Sequence, residues 1–123
     1  MLPPPIARAA LAVYTAALLT ATHWPGLTVH GPVSRTDLII HFGVFFAWGV
    51  LCVLATPKAW PRGRAVARCM AIGLAFAALD ETTQPLFGRI FDWADLGADA
   101  AGVACGVALA AAVLRRSAGD GAR

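Results

Sequence analysis

Four apolar segments, each close to 20 residues long, constrain the fold of this chain more than any other feature of its sequence. An α-helix of about 20 apolar residues is long enough to cross the ~30 Å hydrocarbon core of a bilayer. Only short connections separate the segments. The sequence therefore predicts an all-α transmembrane bundle of about four helices, forming a single membrane domain over residues 1–123. The segments are residues 6–24, 38–55, 64–84 and 94–114.

The composition agrees with lipid as the solvent. Hydrophobic residues make up 59% of the chain and charged residues 14%, against about 45–50% and about 25% in soluble domains. A water-soluble chain this small would need more polar cover. The net charge of +3 is not gathered into a basic stripe, which argues against nucleic acid as a partner. No P-loop or dinucleotide fingerprint occurs, so we predict no cofactor, and the lipid bilayer is the expected partner.

The basic residues predict the orientation of the bundle. Eight of the ten Lys and Arg residues lie on one side of a four-helix topology, and only Arg35 and Arg89 lie on the other. Short loops rich in Lys and Arg stay in the cytoplasm, so both termini are expected there. The first segment could instead be a cleaved signal peptide. It is long for one and lacks a small-x-small cleavage site, so we expect it to remain as a helix.

The acidic residues are segregated to the opposite, outer end of the predicted helices. Six of the seven carboxylates fall there, although acidic residues contribute little to topology. Two of them, Asp80 and Asp92, are interpreted as ordinary interface charges. The histidines of the first outer loop, His23 and His30, are interpreted as solvated side chains.

The remaining outer polar residues share helix faces. Asp95 and Asp99 are four residues apart, as are Asp37 and His41, and Glu81 lies three residues before Gln84. Side chains at these spacings are neighbours on a helix surface. We therefore predict one polar site near the outer membrane surface, to which the third connection adds an arginine. The candidate site consists of Asp37, His41, Glu81, Gln84, Arg89, Asp95 and Asp99.

A small-residue pattern predicts how the fourth helix packs. Gly102 and Gly106 form a GxxxG motif, which permits close approach of two helices. The motif lies on the same stripe as Asp95 and Asp99. We expect this face to be buried in the bundle, which would keep Asp99 away from lipid.

The polar motifs also resemble a known family. They are DLIIHF at 37–42, ETTQ at 81–84, GR at 88–89, DWADL at 92–96 and DAAG at 99–102. Their order and spacing over residues 35–110 are similar to those of the VanZ-like family. The resemblance implies a multi-pass protein of the bacterial cytoplasmic membrane, and some members of the family are associated with resistance to the glycopeptide teicoplanin. The biochemical activity of the family is not established, so the resemblance assigns no catalytic roles.

The resemblance carries over residue by residue, with two departures. Leu38 stands where a basic residue is usual, and Asp99 stands where an amide is usual. Aspartate has nearly the size of asparagine but adds a potential charge. The positions that match the polar motif of the family are Asp37, His41, Glu81, Gln84, Arg89 and Asp95.

Three hypotheses follow from these residues and from what the resemblance implies. In the first, the protein binds or acts on a lipid-linked or cell-envelope compound at the outer leaflet, through proton transfer or a bound cation, in a role related to glycopeptide resistance. In the second, it is a structural or accessory membrane protein whose polar residues only lock helix packing. A proton-coupled exporter ranks last, because transporter sites lie near the bilayer midplane. Enzyme activity and a metal site stay open at this point.

Overall fold

The computed structural model describes residues 4–27, 31 and 34–120, without the side chains of residues 118–120. His30 lies outside the described residues. No strand occurs in the part of the chain that is described, and the expectation of an all-α bundle is confirmed. The helices are α1 (Pro4–Thr22), α2 (Thr36–Ala55), α3 (Arg62–Thr83) and α4 (Trp93–Asp120), with a short 3₁₀ helix (Gln84–Phe87) between α3 and α4.

The helix ends follow the apolar segments closely, with one exception. The α-helix α3 ends at Thr83, and Gln84 keeps helical dihedrals (φ −53°, ψ −38°) as it opens the 3₁₀ helix. Pro85 has no N–H group with which to continue the α-helical hydrogen bonds. In contrast, α4 continues beyond the predicted end at residue 114, through Arg115 and Arg116. Arginine is a good helix former, so the helix continues after its apolar stretch is complete.

Three of the described helices are long and apolar enough to cross a membrane: α1, α2 and residues Trp93–Ser117 of α4. Helix α3 has 22 residues, which is about 33 Å at 1.5 Å per residue. Its length suits a bilayer, but charged residues lie near both of its ends. These residues are Arg62, Arg64, Arg68, Asp80 and Glu81.

Helix α2 lies at the centre of the bundle. It packs against α1 and α3, and most extensively against α4. The two backbones of α2 and α4 come close because of the GxxxG glycines: a Cβ atom on Gly102 would collide with the carbonyl oxygen of Phe42, and one on Gly106 with that of Phe46. Close backbone approach through small residues is typical of membrane helices.

The bundle is apolar outside and polar inside at one end. Val13 and Ile39 are 71% and 62% exposed on the outer surface. Asp80, Glu81 and Asp99 are all fully buried. Ionisable residues of membrane helices face the bundle interior in the same way. The fold therefore encloses acidic side chains at this end, while an apolar core that includes Phe45 and Trp48 fills the bundle beyond them.

Candidate functional site

Three helices bring the polar residues together at one end of the bundle, here called the acid end. His41 lies in the second turn of α2, and Glu81 lies in the last turn of α3. Asp95 and Asp99 lie one turn apart at the start of α4, on the face that packs against α2. Gln84 opens the 3₁₀ helix and is also buried. The structure thus places five of the seven candidate residues in a single buried group.

His41 is the centre of this group. Its Nδ1 atom lies 2.9 Å from Oδ1 of Asp99, within hydrogen-bonding distance, and its Nε2 atom lies 3.7 Å from Oδ2 of Asp95. Asp99 is fully buried and Asp95 nearly so. One imidazole is therefore held between two carboxylates of the neighbouring helix. An Nδ1–H group that donates to Asp99 fixes the orientation of the ring.

Glu81 is held in place from two sides. Its Oε1 atom accepts a hydrogen bond of 2.7 Å from the backbone N–H of Asp92, and its Oε2 atom accepts one of 3.1 Å from the side-chain amide of Gln84. A carboxylate has about four lone-pair sites, so both oxygens retain acceptor capacity. Glu81 is fixed in direction and still able to bind another group.

The connection between α3 and α4 supplies that backbone donor. The 3₁₀ helix ends at Gly88, whose φ of +77° is the left-handed conformation that glycine adopts easily. The chain then reverses, and Oδ1 of Asp92 accepts a hydrogen bond of 2.7 Å from the N–H of Ala94, as an N-cap residue does for the helix that follows it. This cap places the N–H of Asp92 against Glu81.

Asp80 belongs to the buried group, although its sequence position suggested an interface charge. It is fully buried, and its Oδ1 accepts a hydrogen bond of 2.7 Å from Thr22 of α1. Its Oδ2 accepts one of 3.2 Å from Gln84. The four-residue spacing of Asp80 and Gln84 was a visible signal for this pair. Nothing in the local sequence pointed to Thr22.

His23 is likewise more enclosed than its loop position suggested. Its Nε2 atom lies 2.8 Å from Oγ1 of Thr83, and its Nδ1 atom lies 3.7 Å from Oδ1 of Asp80. Its ring also meets the ring of Phe87 edge to face, with centroids 4.9 Å apart. These contacts join the end of α1 to the end of α3.

Arg35, rather than Arg89, forms the ion pairs at the rim of the acid end in the described part of the chain. Its Nη2 atom lies 3.3 Å from Asp37, 3.2 Å from Asp92 and 3.6 Å from Asp95. The hydrogen bond to Asp37 raises the pKa of Arg35 above its usual value. Arg89 instead donates a hydrogen bond to the carbonyl oxygen of Leu27. Of the candidate residues, Asp37 and Arg89 therefore lie at the rim and not in the buried group.

A cavity of about 340 Å³ opens beside this group, between α1 and α2. Aliphatic and aromatic side chains, among them Leu18 and Val44, line one part of it. The acidic, basic and histidine side chains that line the other part are Asp37, His41, Arg89 and Asp95. The cavity thus joins an apolar wall to a charged mouth.

Part of the buried group has the composition of a metal site. His41, Glu81 and Asp99 each offer one ligand atom, and these atoms all lie within 4.8 Å of one another. All three side chains are buried. An imidazole nitrogen and carboxylate oxygens are ordinary ligands of divalent transition metals.

Comparison with known proteins places these features in a family. The model of the family described as VanZ/LLP1 matches residues 10–115 of the chain. The matched region contains every residue of the candidate site. No curated protein and no solved structure matches the chain.

Proposed function

The chain belongs to the VanZ/LLP1 family, and we propose that it is a multi-pass protein of the bacterial cytoplasmic membrane that binds a cell-envelope amphiphile. In this proposal all four long helices cross the bilayer and both termini lie in the cytoplasm. The acid end then faces the outer leaflet, where lipid-linked envelope compounds and glycopeptides such as teicoplanin are found. The positive-inside distribution of Lys and Arg supports this orientation.

The observation that carries the proposal is the two-sided character of the cavity. Its wall near Leu18 and Val44 suits a prenyl or acyl chain, since each buried CH₂ group contributes about 0.8 kcal/mol. Its mouth presents Arg89 for an anionic group and Asp37 for an amine or hydroxyl group. Ligand sites usually combine an apolar lining with a few polar groups that fix orientation. An amphiphile with a sugar or phosphate head matches both halves.

A second candidate function is structural, and one observation favours it. Both carboxylate oxygens of Asp80 and both of Glu81 already accept hydrogen bonds within the protein. Buried polar networks that are fully satisfied rigidify a core. In this alternative the polar residues lock helix packing and the protein serves as an accessory to another membrane component.

Filling the cavity separates the two candidates. Ala16 and Ala17 are both exposed, but of the two only Ala17 lines the cavity. We expect Ala17→Phe to weaken amphiphile binding about tenfold or more, because the ring occupies the space of several CH₂ groups. The matched control Ala16→Phe should bind as the wild type does. The probes are undecaprenyl phosphate and teicoplanin, added to protein in nanodiscs and followed by microscale thermophoresis.

The same variants are then compared in cells. Ala17→Phe should reach the wild-type level in the membrane and lose any protection against teicoplanin, while Ala16→Phe should retain it. If neither probe binds the wild type, or if Ala17→Phe binds both probes normally, the binding function is wrong. A loss of protein from the membrane in both variants would favour the structural alternative.

A further inference from the structure

We propose that His41, Glu81 and Asp99 form a binding site for one divalent transition-metal ion of the Zn²⁺ or Mn²⁺ type. The inference goes beyond amphiphile binding, because the ion would be held by buried side chains whether or not the cavity is filled. Metal binding would also explain why several carboxylates are buried together, which helix packing alone does not require.

The positions of the ligand atoms support an ion at this point. Ligand atoms that bind one Zn²⁺ ion at about 2.0–2.2 Å lie roughly 3–4 Å from each other. The ligand atoms that His41, Glu81 and Asp99 offer all lie within 4.8 Å of one another, which is slightly wider than this spacing.

A buried carboxylate oxygen of Asp99 that lacks a hydrogen-bond partner also supports a cation at this point. Oδ2 of Asp99 has no hydrogen-bond partner among the described residues, although the side chain is fully buried. A buried polar atom that stays unpaired costs free energy. Oδ1 of Asp95, beside the same imidazole, also accepts no hydrogen bond in the described part of the chain. A cation beside Asp99 satisfies this oxygen directly.

The balance of charge points the same way. Glu81, Asp95 and Asp99 are three buried carboxylates around one imidazole. Of these three carboxylates, Arg35 forms an ion pair with Asp95 alone in the described part of the chain, at 3.6 Å, and the Arg35 side chain is half exposed. Like charges in a low dielectric repel strongly unless a cation compensates them. A divalent ion held by His41, Glu81 and Asp99 supplies two positive charges within this group.

The ligand types select the class of metal. Imidazole suits Zn²⁺ and other transition metals, whereas carboxylate oxygens alone suit Mg²⁺, Ca²⁺ and Mn²⁺. A set of one nitrogen and two oxygens therefore favours Zn²⁺ or Mn²⁺ over Mg²⁺ and Ca²⁺. The hydrogen bonds from Gln84 and from the backbone of Asp92 hold Glu81 in place, as outer-shell partners do for metal ligands.

The test measures ion binding on purified protein without any amphiphile. Chain that carries no polyhistidine tag is stripped with a chelator in detergent and titrated with Zn²⁺, Mn²⁺, Mg²⁺ or Ca²⁺ by calorimetry, with the bound metal counted by mass spectrometry. We expect one Zn²⁺ or Mn²⁺ per chain and much weaker binding of Mg²⁺ and Ca²⁺. The variant Asp99→Asn should lose about 100-fold in affinity, since removing even an outer-shell partner costs 10–100-fold.

Three control variants locate the site. Asp37→Asn changes a rim carboxylate of the same helix, His23→Gln changes the other enclosed histidine, and Ala17→Phe fills the cavity. All three variants should bind the ion as the wild type does. Ion binding and amphiphile binding are therefore tested separately. If folded wild type binds no stoichiometric Zn²⁺ or Mn²⁺, or if His23→Gln loses the ion while Asp99→Asn keeps it, the inference is wrong.

A measurement on the wild type tests the proposal even if a variant does not fold. X-ray absorption of the Zn²⁺-loaded chain should show only nitrogen and oxygen ligands at about 2.0–2.2 Å. A sulfur shell at about 2.3 Å would place the ion at a cysteine, such as the buried Cys52 or Cys69, and would contradict the proposal.

Discussion

The two ends of the bundle use charged residues in opposite ways. At the acid end, carboxylates lie inside the bundle and meet side chains of other helices. At the other end, which we call the basic end, arginines lie near the surface and bind backbone carbonyls. Arg8 donates a hydrogen bond of 3.1 Å to the carbonyl of Ala55, the last residue of α2, and Arg62 donates one of 3.1 Å to the carbonyl of Leu114. The last carbonyls of a helix lack partners in their own helix, so the arginine at Ala55 completes the backbone.

Both ends also contain a cavity, and this shows that volume alone does not mark a site. The cavity at the basic end, of about 480 Å³, is larger than that at the acid end, of about 340 Å³. Its lining includes Trp60, whose ring carries the guanidinium of Arg68 at 4.4 Å from its centroid, a cation–π contact. What distinguishes the acid end is negative charge in excess of its nearby cations, together with a buried oxygen that lacks a partner.

The largest expected contrast between the ends comes from removing one central side chain at each. His41→Leu leaves Asp95 and Asp99 buried without their imidazole, so we expect the free energy of unfolding to fall by about 3–5 kcal/mol. Arg8→Leu removes one hydrogen bond to a carbonyl and should cost about 1–2 kcal/mol. Reversible unfolding of metal-free protein in mixed micelles with dodecyl sulfate measures both. Equal losses of unfolding free energy would mean that the buried group at the acid end stabilises the protein no more than a single hydrogen bond at the basic end does.

A smaller effect should follow when the acid end is disturbed without changing any charge. A Cβ atom on Gly102 collides with the backbone of α2, whereas one on Gly97 has open space. Gly102→Ala should therefore lower the free energy of unfolding by about 1–3 kcal/mol, and by separating α4 from α2 it should also weaken Zn²⁺ binding. Gly97→Ala is the matched control, which should gain up to about 1 kcal/mol from helix propensity. Similar stability and Zn²⁺ affinity in both variants would show that neither property depends on the close approach of α2 and α4.

The smallest effect is expected at the rim. Arg35 is half exposed, and exposed ion pairs contribute little and are screened by salt. Arg35→Gln should therefore change stability only slightly, and the difference from wild type should shrink as the salt concentration rises. The exposed residue Lys58 at the basic end provides the control, since Lys58→Gln should show no such dependence on salt. A large and salt-independent loss in Arg35→Gln would mean that the rim belongs to the buried group.

Features that depend on neighbouring residues could be predicted from the sequence. The apolar segments predicted the four helices, because segment length and composition can be read from neighbouring residues. Pro85 predicted the end of α3 in the same way. The pairs at spacings of three and four gave most of the buried group. Helix α3 was harder to classify, since the charges near its ends lower its hydropathy although its length suits a bilayer.

Features that depend on how helices are placed could not be predicted in this way. Thr22 and Asp80 are 58 positions apart, and no local pattern indicates that α1 brings a hydroxyl group to that carboxylate. The exchange of roles between Arg35 and Arg89 has a similar cause. After the left-handed turn at Gly88, the guanidinium of Arg89 reaches the carbonyl of Leu27, and only the packed structure decides which arginine meets the acids.

The hydrogen bond from the N–H of Asp92 to Glu81 affects how the results of substitutions at position 92 are interpreted. The donor is a main-chain atom, so nearly every amino acid would supply it, whatever side chain it carries. Most substitutions at this position would therefore remove the cap of Ala94 and the ion pair with Arg35 but leave the main-chain donor to Glu81 in place. Proline is the exception, because it lacks the amide hydrogen, and it alone would expose a dependence that all other replacements conceal.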